Sequence, residues 1–68
     1  MKHRKYLEKH IEDLMCGRKI TYRGWVYWAN DVTLTVYRQS VDAAISGSIL
    51  GDEYAHISED FKRVIKAK

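Results

Sequence analysis

Residues 18–38 read RKITYRGWVYWANDVTLTVYR, a run rich in β-branched and aromatic residues with two places where a tight turn fits. Such side chains suit a pleated, half-buried surface, and the apolar residues recur with period two rather than 3.6. Arg23-Gly24 suits a two-residue turn because glycine takes positive φ freely, and Asn30-Asp31 suits a second because asparagine tolerates it. Those turns predict an antiparallel meander with strands over 18–23, 25–29 and 32–38. They also set a register: Tyr22 opposite Trp25, Ile20 opposite Tyr27, Ala29 opposite Val32, Tyr27 opposite Leu34 and Trp25 opposite Val36. Side chains alternate across a sheet. Ile20, Tyr22, Trp25, Tyr27, Ala29, Val32, Leu34 and Val36 therefore share one face, the expected core face. The two turns give the same division independently, and a slip of one residue would invert it.

Upstream of the meander, Leu7, Ile11, Leu14 and Met15 recur at helical spacing, flanked by His3 and His10, and predict a helix over 2–16. Gly17 is placed to end it in the left-handed conformation. The helix carries bases in its first turn and acids in its last, against the macrodipole, so packing must hold it. Downstream, Ser40 reads as an N-cap for a helix over 41–50, with Val41, Ala44, Ile45, Ser48 and Ile49 as its stripe and Gly51 as its stop. An extended piece from Glu53 to Ile57 leads to Ser58, a second N-cap. The acids Glu59 and Asp60 and the bases Lys62, Arg63 and Lys66 then match the dipole of a helix over 59–67. The expectation is a single α+β domain over 1–68, in the order α-β-β-β-α-α, with helices against the sheet.

Sixty-eight residues build one small core. Apolar burial and the ordering of the chain both come to about 100 kcal/mol, so they nearly cancel. One cysteine excludes an internal disulfide, which leaves an unusually complete core, self-association or a partner as the source of stability. A hydrophobic share of 46% is too high for a disordered chain. No apolar run approaches the roughly 18 residues of a membrane span, and Met-Lys-His-Arg-Lys is not followed by a signal-peptide core. No membrane association and a cytoplasmic location are expected.

The residue types that carry chemistry do not fall into working constellations. His3 and His10 are about 10.5 Å apart along a helix, too far to share a zinc ion, and His56 and Cys16 offer no paired spacing, so no metal is expected. Cys16 sits at a helix C-terminus, where the dipole disfavours the thiolate, and reads as a buried, inert cysteine. Glu12-Asp13 and Glu59-Asp60 are adjacent pairs that point apart on a helix. The four glycines make no phosphate-cradling loop. The chain is expected not to be an enzyme and to need neither a cofactor nor a small-molecule substrate.

What remains is the second face of the sheet, carrying Lys19, Thr21, Arg23, Val26, Trp28, Thr33, Thr35 and Tyr37. Residues 18–39 hold four bases against one acid, so the net charge of +3 is concentrated there. Covered by a helix, this face would be inert. Left open, it can bind a protein or a second copy of the chain through a Trp/Tyr/Arg hot spot, or stack unpaired bases. Trp28 and Tyr37 are the expected centre, with Arg23, Lys19, Thr33 and Thr35 around them. The first expectation is a small non-enzymatic protein that regulates or inhibits a protein partner, self-associated as a dimer. The alternative is a nucleic-acid-binding module using the same face. The element order is also that of double-stranded-RNA-binding domains, but Ser40-Val41-Asp42-Ala43 lacks the lysine cluster such domains set against phosphate. In topology and size alone the chain resembles small phage-encoded inhibitors, including some anti-CRISPR proteins, which implies an accessory, anti-defence role.

Overall fold

The computed structural model describes residues 3–47 and 51–66. Two short helices, α1 (His3–Glu8) and α2 (Ile11–Met15), precede strands β1 (Ile20–Tyr22), β2 (Trp25–Asn30) and β3 (Thr35–Ser40). A one-turn helix α3 (Val41–Ile45) and strands β4 (Asp52–Ile57) and β5 (Val64–Lys66) follow. The strands form one antiparallel sheet in the order β1-β2-β3-β4-β5. The α+β class and the antiparallel meander packed against helices are as the sequence predicts, and the meander runs on through two further strands.

The expected helix over 2–16 is divided at Lys9-His10, where Lys9 N–H and His10 N–H donate to the carbonyls of Tyr6 and Leu7, three residues back. Both segments nevertheless keep one stripe on the sheet. Leu7, Ile11 and Leu14 are buried in a cluster with Tyr27, Val36, Ala55, Ile57 and Val64. Gly17, at φ 84°, ends α2 as the sequence predicts. Arg18 N–H reaches the Asp13 carbonyl and Gly17 N–H the Leu14 carbonyl, the two bonds of a Schellman motif. Cys16, expected to be buried, is exposed, because it caps the helix beyond the last residue of the stripe.

The β1–β2 register is the predicted one, with Ile20 opposite Tyr27 and Tyr22 opposite Trp25 around an Arg23-Gly24 turn. The β2–β3 register differs. Ala29 pairs with Val36, Tyr27 with Arg38 and Trp25 with Ser40, so the connection spans four residues, 31–34, rather than two. Asn30 closes that loop with its side chain: its Oδ1 accepts from the N–H groups of Val32 and Thr33, while its carbonyl accepts from Leu34 N–H. Leu34 adopts a left-handed φ of 58° to turn the chain back. The expected β-strand over 32–38 becomes β3 at Thr35–Ser40, and Val32, assigned to the core face, is 86% exposed in the loop. The shift is by an even number of residues, so the division of faces survives it.

The last third departs further from expectation. The helix expected over 41–50 is α3, Val41–Ile45, ended by Gly47 at φ 84°. Its Ser40 N-cap does accept from Ala43 N–H. Ile45 of the expected stripe is exposed, and Ser48 and Ile49 lie outside the described residues. Over the described residues, the helix expected over 59–67 is a hairpin loop followed by β5, and residue 67 lies outside them. Ser58, read as an N-cap, instead donates its hydroxyl to Asp60 and accepts from Arg63 N–H, while its own N–H donates to the Arg63 carbonyl. The same serine that caps a helix can close a turn, and the pairing of Val64 with Ile57 buries Val64 in the core.

Candidate functional site

Helices α1 and α2 cover the inner face, and the outer face carries Thr21, Val26, Trp28, Thr35, Tyr37 and Gln39 by the alternation of the ladders. Trp28 is directly opposite Tyr37. Their rings stack with centroids 6.1 Å apart and planes 23° apart, an offset-stacked geometry. Both rings are half-buried. Lys19, in the connection before β1, places its Nζ 5.6 Å from the Trp28 ring centroid, within cation–π range. Three side chains singled out by the sequence thus form one row across the outer face.

Trp28 is held by a feature the sequence reading assigned to something else. Gly51, expected as a helix stop, lies against the indole: a Cβ there would fall 2.5 Å from Trp28 Cζ2 and 3.1 Å from the Arg38 carbonyl oxygen. The glycine is needed for space, so the ring is seated in a notch of the backbone. A lone glycine before a strand carries no signal of such packing.

The other expected site residues are dispersed. Thr35 is buried, and its Oγ1 accepts from Thr33 Oγ1 at 3.0 Å across the foot of the 31–34 loop. Arg23 turns to the inner side, where its Nε donates to Tyr22 Oη at 3.0 Å and its guanidinium lies 5.4 Å from the Tyr22 ring. It therefore belongs to a different group of side chains from Trp28.

That group is an aromatic rim around the helical layer. Tyr6 of α1 stacks on Tyr22 with centroids 3.9 Å apart, and His3 meets the edge of the same ring. Arg38 lies between Trp25 and Tyr54, at 4.1 and 4.8 Å from their centroids. Tyr54 reaches this position because the ladder shifts between Val36 and Tyr37, where Ala55 pairs with Val36 but Glu53 pairs with Tyr37. The Tyr27 hydroxyl, completely buried, bonds His3 Nδ1. Burial raises its pKa above the ordinary 10.0, and a hydrogen bond from Arg38 partly offsets the rise. Arg38 escaped the sequence reading because the shorter loop paired Tyr27 with Leu34.

Among the described residues no three His, Cys, Asp or Glu side chains converge on a point that could hold a metal ion. No helix among them is long and apolar enough to cross a membrane. Comparisons of the chain with protein-family models, curated proteins and solved structures found no match.

Proposed function

We propose that this chain is a non-catalytic binding protein that regulates or inhibits a protein partner by docking it on the outer face of the sheet, around Trp28 and Tyr37. The observation that carries this reading is the stacked, half-buried Trp28–Tyr37 pair, fixed in place by Gly51 and flanked by the Lys19 cation. Tryptophan and tyrosine concentrate binding energy at protein interfaces because they bring large contact area at small entropic cost. A ring already locked by its own fold loses little further freedom on binding. A small chain that covers part of a larger surface needs no reaction of its own to regulate it.

A second copy is the simplest such partner. Sedimentation velocity at micromolar concentration should give a dimer that dissociates in Trp28→Ala and Tyr37→Ala variants whose circular dichroism matches the parent. A monomer at all accessible concentrations removes self-association. If immobilised parent and Trp28→Ala protein then retain the same set of proteins from a lysate, the docking face itself is overturned.

The Lys19–Trp28 contact favours a second reading, single-stranded nucleic acid, since a cation beside a stacking ring suits a base and its phosphate. Anisotropy of a labelled oligonucleotide separates the two. Under this second reading log K falls with log salt by about 0.7 for each phosphate contact, and Lys19→Ala reduces the slope. Absence of binding at low salt leaves the protein reading.

A further inference from the structure

We propose that the groove between α1 and β5 takes an acidic, extended segment of a partner protein, added to the free edge of β5 as a sixth strand. This surface is separate from the Trp28 face and does not depend on it.

Strand β5 is one of the two edge strands of the sheet, with β1 at the opposite edge. Ser58 N–H donates to the Arg63 carbonyl at the start of the β4–β5 ladder. Bonded and non-bonded pairs alternate in antiparallel ladders. His56–Ile65 is therefore a bonded pair, whereas Ile57–Val64 and Ala55–Lys66 turn the backbone groups of Val64 and Lys66 away from β4. The Val64 N–H shows where they point: it donates to Glu8 Oε2 at 3.0 Å, across the groove to α1. A carboxylate of the chain itself thus occupies the first slot of the open edge, where the carbonyl of an added strand would sit. An unpaired edge invites such addition, and charged groups that block it are the usual guard.

The walls of the groove set the chemistry of the occupant. It encloses about 440 Å³ and is lined by Arg4, Lys5, Glu8, Arg63, Val64 and Ile65. The ion pairs among the described residues are His10–Asp13 and Arg18–Asp13, so Arg4, Lys5 and Arg63 have no carboxylate partner among those residues. Glu8, the one acid among the residues lining the groove, is already engaged by Val64 N–H. Three uncompensated cations beside free strand-edge groups fit a peptide whose main chain pairs with β5 and whose acidic side chains meet the bases. Ile65, 52% exposed, adds an apolar contact beside them.

The test uses a fluorescein-labelled, capped octapeptide of alternating threonine and glutamate, read by anisotropy at low ionic strength and by amide hydrogen exchange of the whole chain. The peptide should bind and slow exchange at Lys66. Arg63→Ala and Arg4→Ala should each weaken it about two- to fivefold, and Glu8→Gln, which removes the competing charge, should strengthen it by a similar factor. A counterpart with lysine for glutamate should not bind. Three results overturn the proposal: no binding of the acidic peptide, equal binding after N-methylation of its alternate amides, or tighter binding of an eight-nucleotide thymidine strand to the same residues.

Discussion

Trp28 and Tyr37 stand directly opposite one another on the outer face, with ring planes 23° apart. This pairing follows from the four-residue loop at 31–34. A two-residue turn at Asn30-Asp31 would have placed Thr33 opposite Trp28 and left Tyr37 beyond its reach. The loop that lengthens the hairpin therefore assembles the aromatic pair. Cross-strand aromatic pairs contribute about 0.5–1 kcal/mol, so the pair also stiffens the surface it presents.

The notch under Trp28 predicts a coupled response. Gly51→Ala introduces a Cβ within van der Waals overlap of the indole and the Arg38 carbonyl, and should cost about 1–3 kcal/mol. In a Trp28→Ala background most of that cost should vanish, because the side chain that must move is gone. Urea denaturation of the four proteins of the cycle measures it, and strict additivity would show that the ring does not rest on Gly51.

Tyr27 predicts a loss of stability in alkali. Its buried hydroxyl has a pKa raised above 10.0, chiefly by burial. Below pH 10.0 the proton is retained in both folded and unfolded chains, and the stabilisation is complete. As pH rises past 10.0 the unfolded chain ionises first, so stability falls until the folded-state pKa is passed. Tyr27→Phe should abolish this part of the pH dependence. At neutral pH it should cost about 1 kcal/mol, from the hydrogen bond to His3. Denaturant melts of both proteins from neutral pH into alkali read the difference.

The turn at Arg23-Gly24 holds Arg23 at φ 49° and Gly24 at φ 81°, both left-handed. A residue with a long side chain is strained at the first of these, whereas asparagine favours it. Arg23→Asn should raise stability by roughly 0.5–1 kcal/mol, less what the Arg23 contacts with Tyr22 contribute. A lower melting temperature would mean that those contacts outweigh the strain.

The parts of the fold legible in the sequence were those where two local signals agreed. Gly17 coincided with the end of the Leu7–Ile11–Leu14 stripe, and Arg23-Gly24 coincided with alternation on both sides. The loop at 31–34 was not legible, because an asparagine that bridges a four-residue loop looks the same in sequence as one that starts a two-residue turn. Face assignment survived because period-two alternation is unchanged by an even shift. Of the candidate site, Lys19, Trp28 and Tyr37 could be found from that alternation. Gly51 and the groove at β5 could not, since both depend on segments far apart in sequence, 28 against 51 and 8 against 64.

The 58–63 loop misled for a physical reason, which yields the last prediction. Serine followed by acids, then bases, satisfies helix capping and dipole rules as well as it satisfies this turn. The two conformations differ in what they do with Ile65. A helix over 59–67 would turn Phe61, Val64 and Ile65 toward the core together. In the hairpin, Val64 is 3% exposed and Ile65, one residue on, is 52% exposed. Ile65→Thr should therefore change stability by no more than about 0.5 kcal/mol, because threonine keeps the β-preference and little apolar area is lost. Val64→Ala should cost about 2 kcal/mol. Ser58→Ala should lower stability through its bonds to Asp60 and Arg63 N–H. Part of this should be lost in acid: the Ser58 hydroxyl holds the Asp60 carboxyl below its ordinary 3.8, so the stabilisation is present above pH 3.8 and disappears as pH falls through the lowered value. Thermal melts of the three variants at neutral pH, and of Ser58→Ala and the parent in acid, test the arrangement. A large loss in Ile65→Thr, equal to that in Val64→Ala, would place both side chains in the core and refute the hairpin.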